Sequence, residues 1–154
     1  MIHLQFGNPT AASRIRHHGA RHWHAEPYAG WLRYARDLCA IYAPPQPLQG
    51  PICLAVVVIG ARPERRPQWA TPEAWREGCR LWRPVKPDDD NFGKAIRDVL
   101  APRIIENDSR IVSSLAHKVV AMQGEDAKIL VWCGTIGERA EIFGWCDSGL
   151  GRVL

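Results

Sequence analysis

The residues best suited to chemistry lie in one short segment, Lys86 to Lys94, which reads K-P-D-D-D-N-F-G-K. Its carboxylates stand where an extended chain is predicted to begin a helix. Asp88 and Asp90 flank that point, so both can converge on one spot, and Lys94 lies one helical turn after Asp90 on the same face. Two carboxylates with space for water suit Mg²⁺, which takes oxygen ligands and is usually held by one or two carboxylates plus substrate phosphate. The segment is therefore a candidate magnesium site.

A third carboxylate, Asp108, stands at the start of a predicted strand and extends this candidate site. Strand ends beside a helix N-terminus are common places for such groups to meet. The local pattern also has a simpler explanation, because acidic residues in the first turn stabilise a helix through its macrodipole and need no further role. Local sequence leaves both explanations open.

The surrounding pattern predicts the elements that would position these residues. Apolar residues at helical spacing predict a helix over 31–42 and another over 90–100, the second burying Phe92, Ala95, Ile96, Val99 and Leu100. Thr71-Pro72 resembles an N-cap followed by proline, opening a short helix that reaches about Arg80. Strands are predicted over 2–6, 52–59, 109–120 and 127–133, with the last two joined as a hairpin through 123–126 and 52–59 fully buried. The order β-α-β-α-β-β predicts a single small α+β domain over 1–154, with a mixed sheet packed against helices.

Composition places the chain among globular proteins. It has 154 residues, 46% of them apolar and 23% charged, which excludes a disordered or fibrous chain. No apolar run approaches the roughly 18 residues of a membrane span, and the N-terminus lacks the pattern of a signal peptide. The five cysteines form no C-x-x-C pair, so we expect reduced, buried thiols and a cytoplasmic location without a membrane partner.

The net charge of +4 is distributed unevenly along the chain. Residues 1–36 and 61–86 are rich in arginine, whereas residues 88–108 carry six acids against three bases. An acidic segment between basic flanks suits a site that brings a polyanion to a metal ion, although uneven solvated charge also arises by chance. Trp69, Trp75 and Trp82 alternate with arginines in the second basic segment, where they could stack on unpaired bases or pack the segment onto the core.

Together these residues resemble the RusA family of Holliday junction resolvases. The family pattern is K-P-D-x-D-N-x-x-K, then an amphipathic helix, a short loop and a D-x-x-[IV]-[IV] strand. Lys86 to Lys94 matches its first part, and Asp108-Ser-Arg-Ile-Val matches its last. The similarity covers roughly residues 2–133. The loop 101–107 departs from the family's usual turn, and residues 134–154 lie beyond the pattern with no predicted role.

The resemblance implies a Mg²⁺-dependent endonuclease, with Mn²⁺ as a substitute, that cuts four-way DNA junctions as a homodimer in DNA recombination and repair. Such proteins are usually encoded in prophages or bacterial genomes. The family's acidic triad falls on Asp88, Asp90 and Asp108 as metal ligands, and its functional lysine falls on Lys94. Asn91 would orient the ligands, whereas Asp89 occupies the variable position and is not expected to be a ligand.

Backbone contacts to DNA are expected from the two basic segments, without readout of base sequence. The residues assigned to this role are Arg14, Arg16, Arg21, Arg62, Arg65, Arg66 and Lys86. Two other functions stay open at this point. One is a metal-dependent nuclease for branched or flapped DNA in general, and the other is a junction-binding protein without catalysis, in which the acids only stabilise a helix start.

Overall fold

The computed structural model describes residues 1–7, 16–18, 21–23, 28–86 and 88–153, with only the backbone described at 16–18, 21–23 and 89. Seven strands and four helices follow one another in this part of the chain. They are β1 (Ile2–Gly7), β2 (Arg16–His18), β3 (Arg21–Trp23), α1 (Tyr28–Ile41), β4 (Ile52–Gly60), α2 (Pro72–Arg76), β5 (Leu81–Trp82), α3 (Asp89–Leu100), β6 (Ile111–Val120), β7 (Lys128–Thr135) and α4 (Arg139–Leu150).

Five strands form one mixed sheet in the order β1-β7-β4-β6-β5, and β2 pairs with β3 in a separate two-stranded sheet. Strand β4 runs parallel to β6 and antiparallel to β7. The predicted α+β class and mixed sheet are confirmed. The predicted hairpin through 123–126 is wrong, because β4 lies between β6 and β7. All nine residues of β4 are buried, so this strand occupies the sheet centre with a partner on each edge. The connection from β6 to β7 therefore crosses from one side of β4 to the other.

Helices cover both faces of the sheet. Alternate residues of β4 point to opposite sides: Leu54 and Val56 face the core shared with α1 and α3, whereas Ala55 and Val57 face α4. Helix α4 lies in the segment 134–154, for which no element was predicted. It packs closely because Gly149 lies against Trp132, where an added Cβ would be 2.6 Å from the indole ring.

The predicted helices are confirmed with small shifts in their ends. Helix α1 begins three residues earlier than expected, and α3 buries all five of its predicted core residues. Helix α2 is short and begins as predicted, with the Thr71 hydroxyl accepting a hydrogen bond from the Ala74 amide at 3.2 Å. It ends at Arg76, because positive-φ Gly78 follows closely.

The cysteines are free thiols, and all but Cys79 are buried, as expected. Burial raises the pKa of Cys39, Cys133 and Cys146 to about 12, which keeps these thiols protonated and unreactive. No helix within the described residues is long and apolar enough to cross a membrane.

Candidate active site

One face of α3 carries a row of charged side chains. Asp90, Lys94, Arg97 and Asp98 follow one another at helical spacing, on the side away from the buried Phe92 and its neighbours. All four line a cleft of about 430 Å³, whose other walls include Leu54 and Val56 of β4 and Ser114 to Ala116 of β6. Gly93 also lines the cleft and leaves open space where a side chain would stand. The helix thus presents acids and bases together to solvent.

Asp108 reaches the same cleft from the chain that follows α3. Ile104 and Ile105 are fully buried, and the Leu48 backbone holds this segment through hydrogen bonds with Ile104 and Glu106. Asn107 then caps a 3-10 turn over Asp108–Arg110 by accepting a hydrogen bond from the Ser109 amide at 2.9 Å. Buried isoleucines and a capped turn therefore bring Asp108 to the cleft that Asp90 and Lys94 line, as the sequence predicted.

Asp88 is placed differently. It occupies the N-cap position of α3 in extended backbone geometry, but its side chain makes no capping hydrogen bond and is exposed. It is absent from the residues lining the cleft. Asp90 accepts a hydrogen bond from the Asn91 amide at 2.9 Å. Within the described part of the chain, no three His, Cys, Asp or Glu side chains lie close enough to hold a metal ion, so the expected three-carboxylate cluster is not formed.

The donor set of the cleft nevertheless suits Mg²⁺. Asp90 and Asp108 supply two carboxylates to one solvent-accessible space, and Mg²⁺ is commonly held by one or two carboxylates with water and substrate phosphate completing its shell. Asp98 adds a third acid further along the helix. The ammonium of Lys94 supplies positive charge beside these acids, where a phosphate group would need it.

Sequence reasoning missed two residues of this cleft, Arg97 and Asp98. Arg97 donates from Nη2 to the Ser114 hydroxyl at 3.0 Å, which ties α3 to β6, while its buried Nε has no hydrogen-bond partner among the described residues. A buried guanidinium nitrogen left without an acceptor suits an anionic group entering the cleft. Counting on from Asp90 by seven and eight residues would have found both, because those positions share its helical face.

The predicted DNA-binding arginines of the second basic segment differ in the contacts that they make. Arg62 donates to the backbone carbonyls of Trp75, Cys79 and Ala121 at 2.8–3.1 Å, and its guanidinium lies 4.0 Å from the centre of a Trp75 ring. These contacts give Arg62 a structural role. Arg66 donates to the Ala70 carbonyl.

Of the other predicted DNA contacts, two are exposed and three have side chains outside the described part of the chain. Arg65 and Lys86 are exposed. Arg14 and the side chains of Arg16 and Arg21 lie outside the described part of the chain. The assignment of these residues to DNA binding therefore stays a prediction.

Comparison with known proteins identifies the family. The model of the family described as endodeoxyribonuclease RusA matches residues 7–131 of the 154. No curated protein sequence matches the chain. The matched region contains the whole cleft, from β4 through α3 and Asp108 to β6. The chain belongs to the RusA family of endodeoxyribonucleases, nucleases that act on DNA junctions.

Proposed function

We propose that this protein is a Mg²⁺-dependent endonuclease that resolves four-way DNA junctions by paired, symmetric cuts. The observation that carries the proposal is the convergence of Asp90 and Lys94 of α3 with Asp108, from the segment that follows this helix, on one cleft. A helix stabilised only by its acidic first turn would not need Asp108 or Lys94 there. Mn²⁺ is the expected substitute metal, and recombination and repair in the cytoplasm, with a prophage origin, is the expected setting.

The metal would be held by Asp90 and Asp108. The family's acidic triad also assigns a ligand to Asp88, whose exposed side chain lies outside the cleft and would have to turn towards the metal when one binds. A bound Mg²⁺ would supply an activated water and neutralise charge on the scissile phosphate. Asn91 follows Asp90 directly, and the hydrogen bond that its backbone N–H donates to the Asp90 carboxylate would help to orient that ligand.

The cations of α3 would act on the phosphate itself. Lys94 presents a compact ammonium one turn from Asp90 and would stabilise the negative charge that develops during cleavage. Arg97 would contribute a fixed guanidinium, since the Ser114 hydroxyl holds its Nη2 on the cleft wall. These two residues would orient the phosphate against the carboxylates, so that the bond to be broken lies within reach of both.

Paired cuts require two such sites. Two strands of like polarity in a four-way junction are related by a twofold axis, so a homodimer with one cleft per subunit matches the symmetry of the substrate. Exposed Arg65, Arg66 and Lys86, together with Arg14, Arg16 and Arg21, are the proposed backbone contacts outside the cleft. We leave Arg62 out of this set because its guanidinium is occupied by three carbonyls and an indole ring.

The test is cleavage of four-way, flapped and linear DNA of matched sequence, with Mg²⁺ or with EDTA. We expect two symmetric nicks in the four-way junction, little cutting of linear DNA and no product in EDTA. Equal cutting of flaps would instead support a general branched-DNA nuclease. Junction binding without product under Mg²⁺ or Mn²⁺ would refute catalysis.

Variants at the acidic segment test the assignment of ligands. Asp88→Asn, Asp90→Asn and Asp108→Asn should each abolish cleavage and leave junction binding intact or tighter, since each removes a ligand and a charge that repels phosphate. Asp89→Asn is the matched control and should keep most activity. A dead Asp89→Asn beside an active Asp88→Asn would mean that the ligands are assigned in the wrong register.

A further inference from the structure

A second recess lies on the same molecule, apart from the active-site cleft, and the proposed chemistry does not use it. Its volume is about 520 Å³, within the range of roughly 300–1,000 Å³ that is usual for small-ligand sites. Trp69, Ala70, Leu81, Trp82 and Pro84 supply most of its apolar lining. We call this recess the tryptophan pocket.

A surface path connects the tryptophan pocket to the active-site cleft. Between them lies a smaller recess of about 290 Å³, lined by Trp82, Arg83, Pro84, Ala116, His117 and Lys118. It shares Trp82 and Pro84 with the tryptophan pocket and Ala116 with the cleft. The path follows β6 from Ser114, in the cleft, to Val119, the strand partner of Trp82, and spans about 17 Å at the usual rise of roughly 3.3 Å per residue.

The tryptophans of this region differ in what they contact. Trp75 is covered by the Arg62 guanidinium and serves packing. Trp69 is half-buried against a small apolar cluster that contains Ala70 and Leu81. Trp82 is 47% exposed and lines two of the three recesses. The Trp82 indole meets the His117 ring edge-on, with centroids 5.6 Å apart, and the rest of its surface faces the two recesses, where it suits contact with a ligand.

The charges along the path favour a nucleic acid strand as the occupant. Arg83 and Lys118 line the connecting recess, where phosphates would pass. Glu73 and Glu77 at the tryptophan pocket would repel phosphate, but Arg76 and Arg152 pair with them at 3.4 and 2.9 Å. A flat, uncharged base suits the apolar pocket, while the charged backbone that carries it suits the basic path.

We infer that the tryptophan pocket binds an unpaired nucleobase of the same DNA strand whose phosphate occupies the active-site cleft. The inference rests on the proposed function, since it takes branched DNA as the substrate. Four-way junctions have base pairs at the exchange point that lose stacking neighbours, so an unpaired base there is less costly to produce than in a continuous duplex. Stacking on Trp82 would hold that base about 17 Å from the cleft, measured along β6, and would fix the position of the DNA strand in the cleft.

The experiment measures binding in EDTA, so that no cleavage is needed. The probes are a short oligothymidylate carrying one 2-aminopurine and a linear duplex of the same length. Trp82→Ala should weaken binding of the oligothymidylate about 5- to 150-fold, which is the stacking contribution of about 1–3 kcal/mol per base at 1.4 kcal/mol per tenfold. Binding of the duplex should not change. Trp82→Phe keeps a ring and should retain most of the affinity.

Trp145→Ala is the matched control. Trp145 lies on α4, is 51% exposed, and lines none of the three recesses. Quenching of 2-aminopurine fluorescence by the wild-type protein should be lost in Trp82→Ala and kept in Trp145→Ala. Unchanged circular dichroism in each variant would confirm that the fold is intact.

The outcomes separate this inference from the proposed function. If Trp82→Ala and Trp145→Ala bind the oligothymidylate equally while the wild type still cuts junctions, the inference is wrong and the nuclease proposal stands; a protein segment would then be the better occupant of the pocket. If Trp82→Ala loses oligothymidylate binding but no branched DNA is cut with Mg²⁺ or Mn²⁺, the base site stands and the nuclease proposal fails.

Discussion

Replacing Arg80 by methionine should severely destabilise the protein. Arg80 and Glu125 form an ion pair whose side chains are 8% and 9% exposed, with Nε and Nη2 of Arg80 donating to the two carboxylate oxygens at 3.0 and 2.5 Å. Nη1 of Arg80 also donates to the carbonyls of Gly149 and Leu150 at the end of α4. Arg80 therefore ties the chain just before β5 to Glu125 and to the C-terminal end of α4.

The expected loss follows from what the methionine would leave behind. The Glu125 carboxylate would stay largely buried with Lys128 as its remaining cation, and two helix-end carbonyls would lose their donor. Breaking one side of such a buried pair costs about 3–5 kcal/mol. With an unfolding entropy of about 320 cal/mol/K for 154 residues, this loss lowers Tm by about 9–15 °C.

The assay is thermal and urea unfolding followed by circular dichroism, with Arg80→Met, Glu125→Gln and the double variant. The double variant should lose less than the sum of the single losses, because each single change leaves an unpaired partner. An Arg80→Met protein within about 0.5 kcal/mol of wild type, the range of ordinary surface changes, would refute this reasoning.

Acid should weaken the same contact. Burial alone would raise the pKa of Glu125, but hydrogen bonds from Arg80, the Met122 amide and Lys128 outweigh it and lower the pKa from 4.5 to about 2. A carboxyl whose pKa is lower in the folded state stabilises the protein above its unfolded pKa and loses this effect as the pH falls. Wild-type stability should thus fall from about pH 4.5 towards pH 2, and Glu125→Gln should fall less over that range.

Three further predictions concern the cleft and the basic segment. Gly93→Ala should raise the free energy of unfolding in urea by about 1 kcal/mol, because the added Cβ would meet no atom within 4 Å and glycine is costly inside a helix. A lower free energy of unfolding would mean that this space is filled. Lys94→Ala should slow single-turnover cleavage by about 10²–10³, and full recovery at high Mg²⁺ would show that the lysine only supports binding. Arg65→Gln should reduce the slope of log K against log salt for duplex binding by about 0.9 and leave stability unchanged. Arg62→Gln should mainly lower Tm. The opposite pattern would assign Arg62 to the DNA surface.

Much of the fold could be predicted because local sequence signals agreed with tertiary packing. The continuous apolar run of β4 indicates a strand buried on both faces, and the helical spacing of α3 indicates a helix with one buried face. Both elements were therefore predicted close to their observed bounds. Helix α4 was not predicted, because Gly144 and Gly149 lie among its buried residues and lower its helix propensity, although Gly149 fits a close contact with Trp132. Its position depends on Arg80 and Trp132, which are remote in sequence.

Sheet order illustrates the same limit. Adjacent strands in sequence often pair, which is why a hairpin was predicted between β6 and β7. The turn at Gly124 has the positive φ that such a connection needs, yet β4 lies between the two strands. The order of the strands depends on which strand is apolar enough to lie at the centre of the sheet, and a local turn signal does not contain that information.

The candidate site was predictable where spacing alone determines position, and less so where packing does. Asp90 and Lys94 share a helix face by their spacing of four residues, so their meeting follows from α3 itself. Asp108 joins them because Ile104 and Ile105 are buried beside Leu48, a contact that no short pattern reports. Arg62 was assigned to DNA on its charge, but three carbonyl acceptors and the Trp75 ring engage its guanidinium.

The most direct test of the central claim is single-turnover cleavage of a four-way junction by Asp108→Asn, compared with Asp126→Asn. Asp126 is an exposed acid in the turn after β6 and lines none of the three recesses. With Mg²⁺ present, Asp126→Asn should cut both strands at the wild-type rate, and Asp108→Asn should bind the junction and yield no product. Wild-type cleavage by Asp108→Asn would contradict the assignment of the catalytic centre to the cleft between α3 and β6.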